Sequence, residues 1–412
     1  MSDGFGFDIT AELPNGLGRA GVIHTPHGDI STPAFVVVAT KATVKAVLPE
    51  QVEGLGAQAV LANAYHLYLQ PGADIVEAAG GLGRFMNWPG PTFTDSGGFQ
   101  VLSLGAGFKK VLSMDASRHG SEQVIADGRD RLAVVDDDGV TFVSHLNGDR
   151  HRFTPEVSMG VQHRIGADIV FAFDELTTLL DSRAYQEESL ERTRRWAERC
   201  LAEHSRLARD HPERPYQALF GVVQGAQYED LRRRGARELA ALEAEGRRFD
   251  GFGIGGALEK ENLGTIVGWV SEELPRDRPR HLLGISEPDD FFAAIEMGAD
   301  TFDCVNPSRV ARNGAVYTAD GRYNVTTAAN RRCFEPLEPG CDCLACTHYT
   351  RAYLHHLFKA RERLAATLAT IHNERFTVRL VDAVRAAITA GDYDAFKADS
   401  LGRFYARRRL QA

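Results

Sequence analysis

Three aspartates and a glutamine stand in this sequence where a polar side chain needs a reason. Asp95 opens an Asp-Ser-Gly-Gly string after the run Thr92–Thr94, and Ser96, Gly97 and Gly98 leave room for backbone to approach a flat ligand. Asp174 ends the mostly apolar stretch VFAFD, where an ionised group must be paired or used. Gln224 closes ALFGVVQ, and Gly255 and Gly256 close the run that starts at Phe249. An amide and exposed backbone N–H groups can read the donor and acceptor edge of a purine, while a carboxylate accepts from its amino group. Phe99 is placed to stack on the ring. Asp303, in TFDCVNPSR, is followed by Arg309 and Arg312. A carboxylate beside phosphate-seeking cations suits attack on a sugar carbon of a nucleic acid. The structural alternatives are a helix N-cap for Asp95 and solvated helix faces for the arginines.

A second group carries metal chemistry. CDCLAC supplies Cys341, Cys343 and Cys346, and His372 follows after 25 intervening residues. Three thiolates and one imidazole make a closed tetrahedral site for one structural Zn2+, with no position for a reactive water. Cys333, His348, His355 and His356 compete as ligands on sequence grounds.

Eight short apolar runs can position these residues: Thr32–Thr40, Ala57–Ala64, Thr92–Ser96, Asp168–Glu175, Gln217–Gln224, Phe249–Gly256, Arg280–Ser286 and Thr301–Cys304. Each reads as a buried strand, with helix-patterned stretches between most of them. That alternation predicts an α/β fold, a (β/α)8 TIM barrel spanning 1–412 as one domain, with its chemistry on the loops after the strands. Two insertions interrupt it. Residues 101–155, after strand three, alternate around Asp138-Gly139 as a β-rich excursion containing a hairpin. Residues 310–372, after strand eight, form the zinc-binding subdomain. Helices are predicted from Tyr349 through Leu368 and from Phe376 to Ala390.

The composition is that of an ordinary soluble chain: 43% hydrophobic, 25% charged, with no apolar run long enough to span a membrane. The amino terminus lacks a basic start and an apolar core, which places the protein in the cytoplasm, and clustered cysteines there favour metal over disulfides. A net charge of −9 argues against nonspecific coating of nucleic acid but leaves room for a local patch. Six Lys or Arg stand against two Glu between Arg351 and Leu380, and four more Arg lie between Arg403 and Arg409.

Taken in order, VATKATVKAV, LANAYHLYLQPG, TDSGGFQVLSL, FAFDE, GVVQG, GIGG, HLLGI, TFDCVNPSRVARNG and CDCLAC with His372 resemble the bacterial type of the tRNA-guanine transglycosylase family across almost the whole chain. The resemblance implies covalent base exchange. Asp303 attacks the anomeric carbon of the wobble guanosine in the tRNA anticodon loop, guanine leaves, and a 7-deazaguanine base replaces it. Asp95 shuttles the proton, Asp174, Gln224 and Gly256 hold the purine edge, Ser96 and Phe99 line the pocket, and Ser308, Arg309, Val310, Ala311 and Arg312 handle the anticodon loop. A homodimer is implied as well.

The sequence departs from the family pattern at Leu176, where many members carry cysteine, at Ala257, where leucine is common, and at Asn306. The segment from Gly105 to Asp138 is also longer than expected. The lack of a C-terminal RNA-binding domain speaks against relatives that modify the D-arm. The main rival is an enzyme inserting the same bases into DNA. A metal-dependent barrel hydrolase would need ligands at an early strand end, and a noncatalytic partner subunit would lack Asp303.

Overall fold

The computed structural model describes residues 4–14, 16–98, 133–256, 260–285 and 287–409, with side chains described as far as Ala406. Phe99, Ala257, most of the 101–155 insertion and the arginine side chains beyond Arg403 lie outside the described residues.

The chain opens with β1 (Gly6–Glu12), β2 (Arg19–Thr25) and β3 (Gly28–Thr32), an antiparallel sheet in that order. Next come β4 (Ala34–Val38), β5 (Val60–Asn63) and β6 (Thr92–Asp95), followed by a second antiparallel sheet of β7 (Ala133–Asp136), β8 (Gly139–Val143) and β9 (Arg150–Phe153). The parallel strands resume as β10 (Ile169–Phe171), β11 (Ala218–Val223), β12 (Gly251–Ile254), β13 (Arg280–Leu283) and β14 (Thr301–Cys304). β6 pairs with β10 and β14 with β4, so these eight strands close into the expected barrel. A hairpin of β15 (Ala315–Thr318) and β16 (Gly321–Asn324) opens the insertion after the last strand.

Period-two alternation sorts the strand residues. Ala34, Val36, Leu61, Phe93, Ile169, Phe171, Ala218, Phe220 and Val222 share the barrel interior, whereas Phe35, Val37, Val60, Val170, Leu219, Ile254 and Phe302 belong to the larger core that includes the surrounding helices. β12 contributes glycine to the interior because aromatic rings occupy the space: a Cβ on Gly251 would lie 2.4 Å from the Phe220 ring. The amino-terminal sheet closes the bottom, with Phe5, Ile23 and Ile30 packed on the interior residues. No sequence expectation covered this sheet.

The eight predicted runs all become barrel strands, trimmed at their ends. The hairpin also forms, with Asp136 opposite Gly139 across a two-residue turn. The predicted C-terminal helices need correction. One helix ends at Lys359, where Arg361 takes φ +60°, and the next runs unbroken from Arg363 to Ala390. The break lies before Leu368, and there is none between it and Phe376. That 28-residue helix packs on β4 and on the β15 hairpin, tying the last insertion to the barrel. No helix among the described residues is long and apolar enough to cross a membrane.

Below the barrel Arg19 grips Asp300 through Nε at 2.8 Å and Nη2 at 2.7 Å, and the Arg280 backbone N–H donates to the same carboxylate at 2.7 Å. Both side chains are almost wholly buried. Removing one charge strands the other in a medium that solvates it poorly, at a cost of about 3–5 kcal/mol. Arg19→Met should therefore lower the urea midpoint markedly; an unchanged midpoint would show that the pair contributes little.

Candidate active site

The upper rim collects residues from strands far apart in sequence. Asp95 ends β6, and its carboxylate accepts from the backbone N–H of Ala64 at 2.9 Å and from the Asn63 side-chain amide, both at the end of β5. These donors lie on the neighbouring strand's loop, at the start of the short helix Ala64–Leu69, where an orphan N–H is available. Asp174 follows β10. Its Oδ1 accepts from the Ser96 hydroxyl at 3.1 Å and its Oδ2 from the Gln224 amide at 2.6 Å. Burial pushes this carboxyl up to about 6, against the Gln224 and Ser96 hydrogen bonds, which favour ionisation. Gly98 fits here because a Cβ would lie 2.8 Å from the Asp174 carbonyl oxygen.

Gly255 and Gly256 continue from β12. The Gly255 carbonyl accepts from Arg232 Nη1 at 2.8 Å, which turns the N–H of the following trans peptide away from Arg232. Arg232 also donates to the carbonyls of Val223 at 2.9 Å and Ala226 at 2.8 Å, and it is fully buried. Gly256 has φ +92°, and a Cβ there would lie 2.6 Å from Gln224 Oε1, a buried acceptor with no partner among the described residues. The pocket therefore offers carboxylate, amide and backbone groups at one edge, the set a flat heterocycle with N–H and carbonyl groups can satisfy.

Asp303 points inward from β14. Its Oδ1 lies 3.2 Å from His281 Nε2 and 3.4 Å from the Gly284 N–H. Just beyond, the helix Asn306–Ala311 turns Ser308 and Ala311 inward, with the Ser308 hydroxyl donating to its own turn at the Val305 carbonyl. Val310 is partly buried; Arg309 is exposed, Arg312 partly so, and neither forms an ion pair among the described residues. The wider basic stretch is less available than its composition implied. Arg351 donates to the carbonyls of Pro336 and Leu337, Arg375 pairs with Asp342, and Arg403 pairs with Asp320. Leu176 is partly buried against the core, and Asn306 donates to the Tyr317 hydroxyl at 3.1 Å.

Sequence reasoning missed Asn63, His281 and Arg232. Asn63 had a signal, being the polar residue next to the end of the second apolar run. The others did not: an inward-facing histidine within a strand and an arginine in a charged helix resemble ordinary residues until the strands are paired. Behind Asp174, Glu175 is buried against the Tyr185 hydroxyl at 2.6 Å and the Arg192 guanidinium. The turn of the β7–β8 hairpin docks on the helix Arg183–Asp210 that carries Tyr185 and Arg192, with Trp196 Nε1 donating to the Asp137 carbonyl at 2.8 Å.

Cys341, Cys343, Cys346 and His372 converge, with ligand atoms all within 4.8 Å of one another and every residue buried. His372 Nδ1 lies 3.7, 3.6 and 3.3 Å from the three sulfurs. A tetrahedral ion with bonds of about 2.3 Å to sulfur and about 2.0 Å to nitrogen requires separations of roughly 3.5 Å. The other imidazole nitrogen lies 2.7 Å from the Tyr317 carbonyl, which fixes the tautomer that leaves Nδ1 free to bind. Cys333 and His348 stay outside the group, His355 is engaged with the Val325 carbonyl at 3.0 Å, and His356 is exposed.

The barrel rim thus gathers the carboxylates of Asp95, Asp174 and Asp303 with the Gln224 amide, and a separate group of three cysteines and one histidine could hold a metal ion. A family model for queuine tRNA-ribosyltransferase matches residues 15–406. The chain is 45% identical over 389 residues to a queuine tRNA-ribosyltransferase of Moorella thermoacetica, covering 94% of each chain. It is 44% identical over 403 residues to that of Symbiobacterium thermophilum, covering 97% of this chain and 92% of the relative. A relative of the same name from Herpetosiphon aurantiacus is 43% identical over 398 residues, covering 97% and 93%. The chain belongs to the queuine tRNA-ribosyltransferase family.

The ligand geometry yields a test. Elemental analysis should return about one equivalent of metal per chain, and Cys343→Ala should lose both the metal and several degrees of thermal stability, because binding is coupled to folding. A variant that loses metal and keeps its full midpoint would contradict a structural site.

Proposed function

We propose that this protein exchanges the wobble guanine of a tRNA anticodon loop for a 7-deazaguanine base, with Asp303 as nucleophile and Asp95 as proton shuttle. The observation that carries this reading is the pairing of roles at the rim. One carboxylate, Asp303, is anchored through a single oxygen at the end of β14, and the helix that follows it carries the exposed Arg309; the other, Asp95, sits among amide donors at the end of β5. The arginines suit the phosphates of the anticodon loop.

In the first half, Asp303 forms a bond to the anomeric carbon as the bond to guanine N9 breaks, and the departing electron pair is neutralised by a proton from Asp95. In the second half, the incoming base gives its proton to Asp95 and displaces the ester. The ester preserves the free energy of the glycosidic bond, so the exchange needs no nucleoside triphosphate. Asp174, Gln224 and the Gly256 N–H hold the purine edge, with Ser96, Gly97, Gly98 and Gly255 shaping the pocket and Phe99 stacking on the ring. Ser308, Val310 and Ala311 position the two arginines against the anticodon loop. Among divalent ions, zinc suits the three thiols and imidazole best; with four protein ligands it would hold the last insertion to the long helix and take no part in the reaction. A homodimer has a surface to use. Phe334, Leu344, Tyr353 and Leu364 are exposed within residues 310–372, and Tyr349 stacks on Tyr353 with centroids 5.5 Å apart.

Two outcomes check this reading. Incubation with tRNA and a deazapurine inhibitor should trap a denaturant-stable adduct in the parent and none in Asp303→Ala; an adduct lost in Asp95→Ala and kept in Asp303→Ala would reverse the roles. The pH dependence follows from Asp174. An ionised carboxylate accepts from the base, and its folded value of about 6 lies above the ordinary 3.8, so the folded state holds the proton in that window. Affinity for free guanine should fall as pH drops through 6, approaching about tenfold per pH unit below it. The same shift makes ionising Asp174 cost stability as pH rises through that window. Asp174→Asn should bind weakly with a flattened profile, and a profile unchanged from the parent would exclude Asp174 as the titrating group.

A further inference from the structure

We infer that His281 is a positioning residue for the nucleophile, holding Oδ1 of Asp303 so that Oδ2 forms the bond to the sugar. The inference rests on the reading of Asp303 given above and assigns its two oxygens different work. In the parallel register of β13 and β14, His281 lies beside Thr301 and Leu283 beside Asp303. The imidazole is fully buried, with its centroid 5.2 Å from the Phe171 ring and 5.5 Å from the Phe93 ring. Its Nδ1 is 2.9 Å from the Thr301 hydroxyl and its Nε2 is 3.2 Å from Asp303 Oδ1.

The chemistry of the partners sets the proton. A carboxylate oxygen only accepts, so Nε2 must carry the hydrogen; the opposite tautomer would set two lone pairs face to face. With the hydrogen on Nε2, Nδ1 accepts from the Thr301 hydroxyl, which can rotate to donate, so Asp303 selects the tautomer and Thr301 complements it. Gly284 adds a backbone donor to the same oxygen at 3.4 Å. No described residue donates to Oδ2.

An oxygen holding two hydrogen bonds is a poorer nucleophile than its free twin, and a carboxylate pinned on one side cannot rotate to present the other. Oδ2 therefore makes the bond to the anomeric carbon as the bond to N9 breaks, the base leaving with the electron pair and a proton from Asp95. Oδ1 becomes the ester carbonyl oxygen. It still accepts from Nε2–H and the Gly284 N–H, so both contacts persist and polarise the ester when the incoming base displaces it.

The test is single-turnover formation of the denaturant-stable tRNA adduct in the full-length enzyme. His281→Phe keeps a ring in the core and removes the donor; it should slow adduct formation by about tenfold to a hundredfold, the worth of a hydrogen bond to a charged group, with base and tRNA affinities unchanged. His281→Gln returns an amide N–H near the position of Nε2 and should recover most of the rate. Parent-like adduct formation in His281→Phe, or a His281→Gln variant equally slow at equal thermal stability, would overturn the inference. Asp303→Ala run in parallel separates the layers: an adduct in that variant sinks the underlying reading, whereas an unaffected His281→Phe beside an inert Asp303→Ala sinks only the role of His281. If His281→Phe does not fold, 15N spectra of histidine-labelled parent enzyme decide, with a protonated Nε2 and a bare Nδ1 expected and the reverse tautomer overturning the assignment.

Discussion

A carboxylate can sit in a dry pocket only where donors surround it, and at this rim the donors for Asp174 come from other strands. Ser96 after β6 and Gln224 after β11 meet on the carboxylate that follows β10. The same dependence recurs around the rim: Asp95 is held from the end of β5, and Asp303 from β13 and the loop after it. Parallel pairing of successive barrel strands is what makes these partners neighbours. These hydrogen bonds exist only in the folded state, and they orient the rim carboxylates before any ligand arrives, which spares the reaction the cost of arranging dipoles as charge develops.

The partition between rim and base follows from this. Below the interior layer of Phe93, Phe171 and Phe220, the charged groups Arg19, Asp300 and Asp168 are paired and buried and serve only to hold strand ends together. Above it, Asp95 and Asp174 accept hydrogen bonds on both oxygens, whereas the described donors to Asp303 meet only Oδ1. Among the described residues, the four members of the cysteine and histidine cluster form no hydrogen bond to Asp95, Asp174, Gln224 or Asp303. Its contribution is to fasten β15 and the cysteine loop to the 28-residue helix, through His372 and the Tyr317 carbonyl.

Much of this was legible in the chain. Strand runs such as Ala218–Val223 are apolar on both faces because a barrel strand has core on one side and helices on the other, so continuous hydrophobicity marks them. Asp95, Asp174, Gln224 and Asp303 stood out because they end such runs, and CDCLAC with His372 stood out by ligand type. Other features depend on which strands become neighbours. His281 gains its meaning from the parallel register with Thr301 and Asp303, and Arg232 from three carbonyls on different segments. The amino-terminal sheet was missed although GFDITAE alternates over β1, because β1 and β2 precede the first of the apolar runs that mark the barrel strands. The split of the C-terminal helices was misplaced because nothing in the charged sequence KARERL around Arg361 marks a left-handed residue; only the observed φ does.

The central claim is that the barrel rim exchanges one base for another on intact RNA while conserving the glycosidic bond energy in an ester. The most direct measurement is mass spectrometry of a purified tRNA with guanine at the wobble position, after incubation with the enzyme and a 7-deazaguanine base, with no nucleoside triphosphate present. A mass shift confined to the wobble nucleotide, with one guanine released for each base incorporated, is the expected result. No incorporation into tRNA under these conditions, or incorporation into a DNA duplex in its place, would contradict the account.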